Sequence, residues 1–306
     1  MIYTCTLNPS IDYLVEIEEV SLGKLNRAQK TAFYPGGKGI NVSRVLKNLG
    51  VPNVALGYVG GFTGKFIQDF LERDGITQDF IQHDEPTRVN VKLKAEKETE
   101  INGQGANISE DMQQQLLDKL ASLTQDDILV VAGSLPPSLP AKFYETIAKF
   151  CQENNIRFVI DTGGQTLKNL LKYKPFLIKP NHHELSDLLG VEIHSKEDVL
   201  QYAENLLDLG PTNILVTLGG EGAVLVSEET IAYANVPKGE LKNSVGAGDS
   251  TVAGYLASFV ETGDLLHAFK TGVACGSATA FSEDLCTKSE MEILLPQIAV
   301  KTIEKE

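Results

Sequence analysis

An aspartate set in a glycine-rich turn, Asn243-Ser244-Val245-Gly246-Ala247-Gly248-Asp249-Ser250, concentrates more chemistry than any other stretch of this sequence. Gly246 and Gly248 allow positive φ and close approach to a ligand. The residues after Ser250 repeat at helical spacing, so the turn leads into a helix N-terminus, whose free N–H groups and partial positive charge suit a phosphoryl group. An acid at such a place either accepts a proton where phosphate is transferred or caps the helix, and Asp is a common cap. Two familiar phosphate motifs are excluded by counting. A P-loop needs Lys then Ser or Thr after its last glycine, and a dinucleotide fingerprint needs a third glycine three residues on. Here Asp249 and Thr251 stand at those positions. A second turn, Gly36-Gly37-Lys38-Gly39-Ile40-Asn41, also leads into a helix and carries a cation. It reads as a second place of close ligand approach, against the plainer reading of a loop with a surface lysine.

The elements that must position these turns follow from periodicity. After Ser250 the helix is marked by Val252, Ala253, Leu256, Phe259 and Val260; after Asn41 it is marked by Val42, Val45, Leu46 and Leu49, with Gly50 as the stop. A first strand over Ile2 to Leu7 ends at Asn8-Pro9-Ser10-Ile11-Asp12, which puts Asp12 just past the strand end. The polar segments Tyr13 to Val20 and Leu25 to Phe33 predict a small exposed sheet. Thr87 to Ile101 alternates with period two and joins it, with Arg88, Asn90 and Lys92 on one face. Gly60 to Gly64 reads as a further glycine loop before a helix containing Phe66, Ile67, Phe70 and Leu71.

From there the pattern is regularly α/β. Strands are predicted over Ile128 to Ala132, Phe158 to Asp161, Phe176 to Lys179, Ile214 to Leu218 and Ala223 to Val226, with helices around 110–122, 140–153, 184–189 and 197–209. Short apolar strands alternating with helices predict a mainly parallel sheet covered on both faces. Ligands gather at the carboxyl ends of such strands. Asp12, Ser134, Asp161, Lys179, Asn181, Thr217 and Gly219 punctuate those ends and predict one shared crevice. The last long helix, Leu265 to Phe281, is rich in small residues; close packing explains it, as does a narrow wall beside a flat ring.

Composition narrows the function classes. With 41 acidic residues against 27 Lys and Arg, the net charge of -14 argues against general nucleic-acid or anionic-membrane binding, so an anionic substrate must meet a local basic cluster. Cys5, Cys151, Cys275 and Cys286 form no C-x-x-C pair and read as thiols of a reduced, cytoplasmic protein. The start has no basic and apolar leader pattern, and no apolar run is long enough for a membrane helix. His182 and His183 read as bystanders and not as metal ligands, since adjacent residues rarely point at one ion.

These residues together resemble the PfkB or ribokinase-like carbohydrate kinases, essentially from end to end. The likeness rests on Asn8-Pro9-Ser10-Ile11-Asp12, Gly36-Gly37-Lys38-Gly39-Ile40-Asn41, Gly133-Ser134-Leu135-Pro136-Pro137, Lys179-Pro180-Asn181-His182-His183-Glu184 and Val245-Gly246-Ala247-Gly248-Asp249-Ser250, in this order. The resemblance implies an α/β fold: a three-layer α/β/α sandwich with a mainly parallel central sheet and a small β-sheet lid. One kinase domain would cover 1–306, with lid strands inserted at about 13–34 and 87–101. Tyr34 to Arg44, Thr99 to Gly105 and Asn235 to Gly239 carry a closer likeness to members that phosphorylate D-fructose 1-phosphate at C6. Tagatose-6-phosphate kinases share the general motifs.

The resemblance implies Asp249 as general base and the N–H groups of Gly246, Ala247 and Gly248 as an anion hole. It carries Asp12, Gly37, Gly39 and Asn41 over to the sugar hydroxyls, and Arg88 and Ser134 to the sugar's phosphate. Lys24, from this subunit or a neighbour, and Lys38 are further candidates there. ATP would lie along Lys179, Asn181, Glu184, Thr217, Gly219, Gly222, Gly248 and the small residues at Gly276, with Mg²⁺ held by Glu184 through water. A homodimer through the lid is implied by its exposed edges. A sugar-phosphate sensor that lost turnover is the non-enzymatic reading, against which the intact base, anion hole and Glu184 argue. An NAD-dependent oxidoreductase lacks its fingerprint.

Overall fold

The computed structural model describes residues 1–303. Its first half runs β1 (Ile2–Thr6), β2 (Ser10–Glu16), β3 (Lys30–Gly36), α1 (Lys38–Asn48), β4 (Asn53–Gly60), α2 (Gly61–Arg73), β5 (Thr77–Gln78), β6 (Ile81–His83), β7 (Val89–Lys94) and β8 (Thr99–Asn102). The second runs α3 (Glu110–Leu120), β9 (Ile128–Ala132), α4 (Lys142–Glu153), β10 (Arg157–Asp161), α5 (Gly164–Leu170), β11 (Leu177–Ile178), α6 (His182–Leu189) and α7 (Lys196–Leu207). It closes with β12 (Asn213–Thr217), β13 (Ala223–Ser227), β14 (Ile231–Ala234), α8 (Ala247–Thr262), α9 (Leu265–Ala280), α10 (Lys288–Leu294) and β15 (Val300–Ile303).

The large sheet has the order β15-β14-β13-β12-β11-β10-β9-β1-β4-β5, with β6 beside β4. Strands β12 through β5 are parallel, and β13, β14 and β15 add an antiparallel edge. The central strands are apolar throughout because both their faces are covered. In β9, Leu129 and Val131 enter one core with Phe143, Ile147 and Leu185. Ile128, Val130 and Ala132 enter the opposite core with Val45, Leu46, Val252 and Phe269. Helices α1, α8, α9 and α10 therefore cover one face, and α3 to α7 the other. No helix among the described residues is long and apolar enough to cross a membrane.

A second sheet, β3-β2-β7-β8, stands apart from the first. Its inner strands pair in parallel, with Asp12 opposite Asn90, and β3 and β8 are the edges.

The predicted strands β9, β10, β12 and β13 agree with the sequence reading within a residue or so. Several elements differ. Pro9 does end the first ladder, but the chain re-enters a strand at Ser10, so Asp12 is the third residue of β2 in the small sheet and not a residue just past β1. Gly61 to Gly64 is the first turn of α2 and not a loop. Residues 17–29 form no strand and hold a turn only at Leu22 and Gly23, so β2 and β3 are shorter and shifted relative to the predicted segments. Helix α5, only seven residues long, was not readable from periodicity.

Candidate active site

The Asn243-to-Ser250 turn does lead into a helix, and its geometry removes the capping alternative. Gly246 is the N-cap of α8 with φ of 78°, in the left-handed region that glycine tolerates, and no side chain caps this helix end. Asp249 lies in the first turn, 6% exposed. Its Oδ2 accepts a hydrogen bond from Asn41 Nδ2 of α1 at 2.8 Å. Burial, then the neighbouring charge of Asp161, push its pKa up to about 6; Lys38, the Asn41 hydrogen bond and Lys179 pull the other way. A carboxylate so placed is a proton acceptor tuned towards neutral pH.

Asp249 opens onto a cleft of about 600 Å³ between the strand ends of the large sheet and the inner face of the small one. Asp12, Gly37, Lys38, Asn41, Arg88, Ser134, Lys179, Asn181, Glu184, Thr217, Gly246 and Gly248 all line it. The separately predicted turns thus meet in one place. Lys24, Gly39, Gly219, Gly222, Ala247 and Gly276 do not line it.

The reasons are local. Lys24 is exposed in the turn between β2 and β3. A Cβ on Gly276 would fall 2.2 Å from Thr251 Oγ1 and 3.0 Å from Ala247 O, so the small residues of α9 serve its packing on α8. A Cβ on Gly222 would fall 2.1 Å from Ala234 O, so that glycine lets β14 approach. The Gly36-to-Gly39 turn is also close-packed against the protein itself. A Cβ on Gly37 would meet Thr6 Cγ2 at 2.7 Å, and one on Gly39 would meet Thr6 Oγ1 at 2.4 Å. These glycines seat α1 against the end of β1, which is what brings Lys38 and Asn41 to the cleft.

At the small-sheet end, Asp12 Oδ1 accepts from Ser10 Oγ at 2.8 Å and Asn90 Nδ2 at 3.0 Å. Arg88 donates to Asn8 O and Gly103 O at 2.9 Å each, and to Pro9 O at 3.4 Å. Burial pushes its pKa down, against the pull of Asp12. Arg88 thus braces the cleft wall while presenting its charge there. Ser134 Oγ accepts from Asn8 Nδ2 at 3.4 Å, and Lys92 lines the cleft while paired with Glu100 at 2.6 Å.

At the other end, Asn181 and Glu184 form a reciprocal capping box on α6: Asn181 Oδ1 accepts from Glu184 N at 2.8 Å, and Glu184 Oε2 from Asn181 N at 2.9 Å. Glu184 Oε1 is left beside Gly163, where a Cβ would stand 3.7 Å from it. His182 and His183 are the first two residues of α6, with ring centroids 3.9 Å apart. Between the two ends lies Asp161, the last residue of β10 and 2% exposed. Its Oδ1 is 2.8 Å from Lys38 Nζ and 3.6 Å from Lys179 Nζ. Burial opposes the charge on Lys38, but Asp161, Asp249 and Glu184 outweigh it and hold its pKa above the ordinary lysine value. Sequence reasoning placed Asp161 in the crevice without a function, and no local signal links it to a lysine 123 residues away.

A family model described as pfkB family carbohydrate kinase matches residues 6–291. The chain belongs to that family. It is 49% identical over 300 residues to 1-phosphofructokinase of Bacillus subtilis, covering 98% of this chain and 99% of that one. It is 33% identical to D-tagatose-1-phosphate kinase of Bacillus licheniformis, again over 98% and 99% of the two chains. Among solved structures it resembles phosphofructokinase-2 from Escherichia coli in complex with substrates and products, with a TM-score of 0.92 and 30% identity over 96% and 98% of the chains. That protein also has a tetrameric inhibited form, with a TM-score of 0.90. The three-layer α/β architecture with a separate small sheet is therefore that of the family.

Proposed function

We propose that this protein transfers the γ-phosphate of ATP to the C6 hydroxyl of D-fructose 1-phosphate, giving fructose 1,6-bisphosphate and ADP, with the chain working as one catalytic domain. The observation that carries the reading is the Asp249 carboxylate. It is buried and raised in pKa, one oxygen is tied to Asn41, and it stands at the N-terminus of α8 in a cleft whose walls bear four cations. The relatives that are 1-phosphofructokinases, at 49% and 42% identity, support the substrate.

In this reading Asp249 takes the proton of the C6 hydroxyl as that oxygen attacks phosphorus. The N–H groups of Gly246, Ala247 and Gly248 and the dipole of α8 stabilise charge on the transferring group. Lys38 and Lys179 face the same phosphates. Such catalysis is mainly positioning and electrostatics. Asp12, Gly37 and Asn41 form the sugar wall, with Gly39 seating α1 behind it and the free Oδ2 of Asp12 accepting from a sugar hydroxyl. Arg88 and Ser134 hold the sugar's own phosphate, with Lys24 reaching in from a neighbouring subunit. Asn181, Thr217, Gly219 and Gly222 mark the nucleotide path.

Mg²⁺, when bound with ATP, neutralises charge on the phosphate oxygens. The donor set fits it, because one carboxylate oxygen, Glu184 Oε1, remains for contact through water while phosphates supply the other ligands. The exposed Phe33 and Ile101 of the small sheet, and the exposed Leu22 and Leu25 in the connection between β2 and β3, support a dimer through that sheet with its open edges. The bacterial kinase relatives support a cytoplasmic setting and a place in glycolytic sugar metabolism.

The test is a coupled assay of ADP release with Mg-ATP and fructose 1-phosphate, fructose 6-phosphate, tagatose 6-phosphate or tagatose 1-phosphate. A large preference in kcat/KM for fructose 1-phosphate is expected. Preference for a 6-phosphate contradicts the substrate orientation, and preference for tagatose 1-phosphate keeps that orientation but changes the sugar. Absence of turnover with all four returns the sensor reading.

A further inference from the structure

Asp161 has no part in the reaction written above, and burying a carboxylate is costly. Its Oδ1 holds two ammonium groups, and its Oδ2 is buried without a hydrogen-bond partner in the structure. A buried pair of this kind adds little net stability over apolar residues of similar volume, so stability does not account for it.

Its surroundings suggest what does. Lys38 and Lys179 line the cleft with Asp249. A Cβ on Gly248, the residue before the base, would stand only 3.0 Å from Lys179 Nζ. Two long cationic side chains this near a carboxylate with one oxygen free would close on it, and an aspartate paired with lysine is a poor base. Both are instead gathered on Asp161.

We propose that Asp161 is a positioning residue: it draws the Lys38 and Lys179 ammonium groups onto its own carboxylate, so that they face the transferring phosphate and leave one oxygen of Asp249 open to the sugar hydroxyl. This rests on the phosphoryl-transfer reading of the cleft. The groups facing Asp249 are Asp161 from β10, Lys38 and Asn41 from α1 and Lys179 after β11; Glu184 from α6 acts on Lys38. After burial, the Asp161 charge is the largest cause raising the pKa of Asp249, while the lysines lower it. Removing Asp161 and releasing the lysines therefore act in the same direction.

The experiment compares the wild-type chain with Asp161→Asn, which keeps size and shape. Titration of the Asp249 carboxyl by NMR with ¹³C-labelled aspartate, assigned by its loss in Asp249→Asn, should move from about 6 down by ~1 pH unit or more. At saturating substrates kcat should fall ~10-fold or more, with no rise in KM for ATP, because the site has gained net positive charge. A merely structural role would instead raise both KM values and lower Tm with the titration unmoved, and that result, or unchanged kcat and titration, overturns the proposal. If Asp161→Asn does not fold, Lys38→Met decides. Asp249 should then titrate above about 6, and no movement overturns the proposal. A wild-type chain that turns over no sugar phosphate sinks the kinase reading alone, since the titrations still decide where the lysines are held.

Discussion

Helices α6 and α8 both begin at the cleft, and both carry an acid in the first turn, but they use it in opposite ways. In α6, Glu184 and Asn181 are turned back onto the backbone as a capping box. In α8, the cap is a bare glycine, and Asp249 points away from its own helix to Asn41. The Glu184 oxygen is engaged by the backbone of its own helix, whereas Asp249 is buried with a single side-chain donor and is destabilised as an anion. The same residue class at the same helical position is thus a structural group in one case and a reactive one in the other, and the hydrogen-bond partners decide which.

The contrast is broken most sharply by Asp249→Asn. Loss of a general base predicts a fall in kcat of ~10²- to 10⁴-fold with ATP affinity little changed, measured by steady-state kinetics and calorimetry; turnover within a few-fold of wild type would contradict the assignment. Stability should respond in the other direction. The folded-state pKa of Asp249 lies above the ordinary aspartate value of 3.8, so its contribution to stability is present below that value and is lost as pH rises through about 6. Asp249→Asn should therefore raise Tm at pH 8 and leave it little changed at pH 4.

Glu184 sharpens the comparison from the other side. Glu184→Ala removes its half of the capping box and the free oxygen, leaves the Asn181 cap in place, and should cost about 0.5–1.5 kcal/mol of stability while raising the Mg²⁺ concentration needed for half-maximal rate. Glu184→Gln retains an acceptor for Asn181 N–H, so its Tm should stay near wild type while the Mg²⁺ requirement still rises. A Gln variant with unchanged Mg²⁺ dependence would make Glu184 purely a cap.

The smallest change in rate is expected from Gly276→Ala. Its new Cβ would press on Thr251 and the start of α8, with a cost of about 1–3 kcal/mol seen in thermal unfolding, while KM for ATP stays within about two-fold by the same overpacking argument. A large rise in KM with unchanged stability would restore the reading of Gly276 as part of the nucleotide wall.

What was legible in the sequence follows from the range of the forces involved. Strands β9, β10, β12 and β13 are apolar on both faces and bounded by turns, and α1 and α8 carry plain periodicity, so local pattern located them. The glycine turns were legible as places of close approach, but not what approaches: for Gly37 and Gly39 it is Thr6, and for Gly276 it is Thr251. Asp12 was recognised as a cleft residue but placed on the wrong element, because Pro9 marks a break and does not show that a new strand begins one residue later. The Lys38–Asp161–Lys179 cluster joins three distant elements, and no spacing in the chain announces it.

The central claim is that Asp249 is a poised base and not a cap, and the sign of its pKa shift separates the two most directly. In the ligand-free wild-type chain labelled with ¹³C-aspartate, the carboxyl that is absent from Asp249→Asn should titrate at about 6, above the ordinary aspartate value of 3.8. A carboxyl titrating at or below the ordinary aspartate value would identify Asp249 as a capping or ion-paired group and contradict the account.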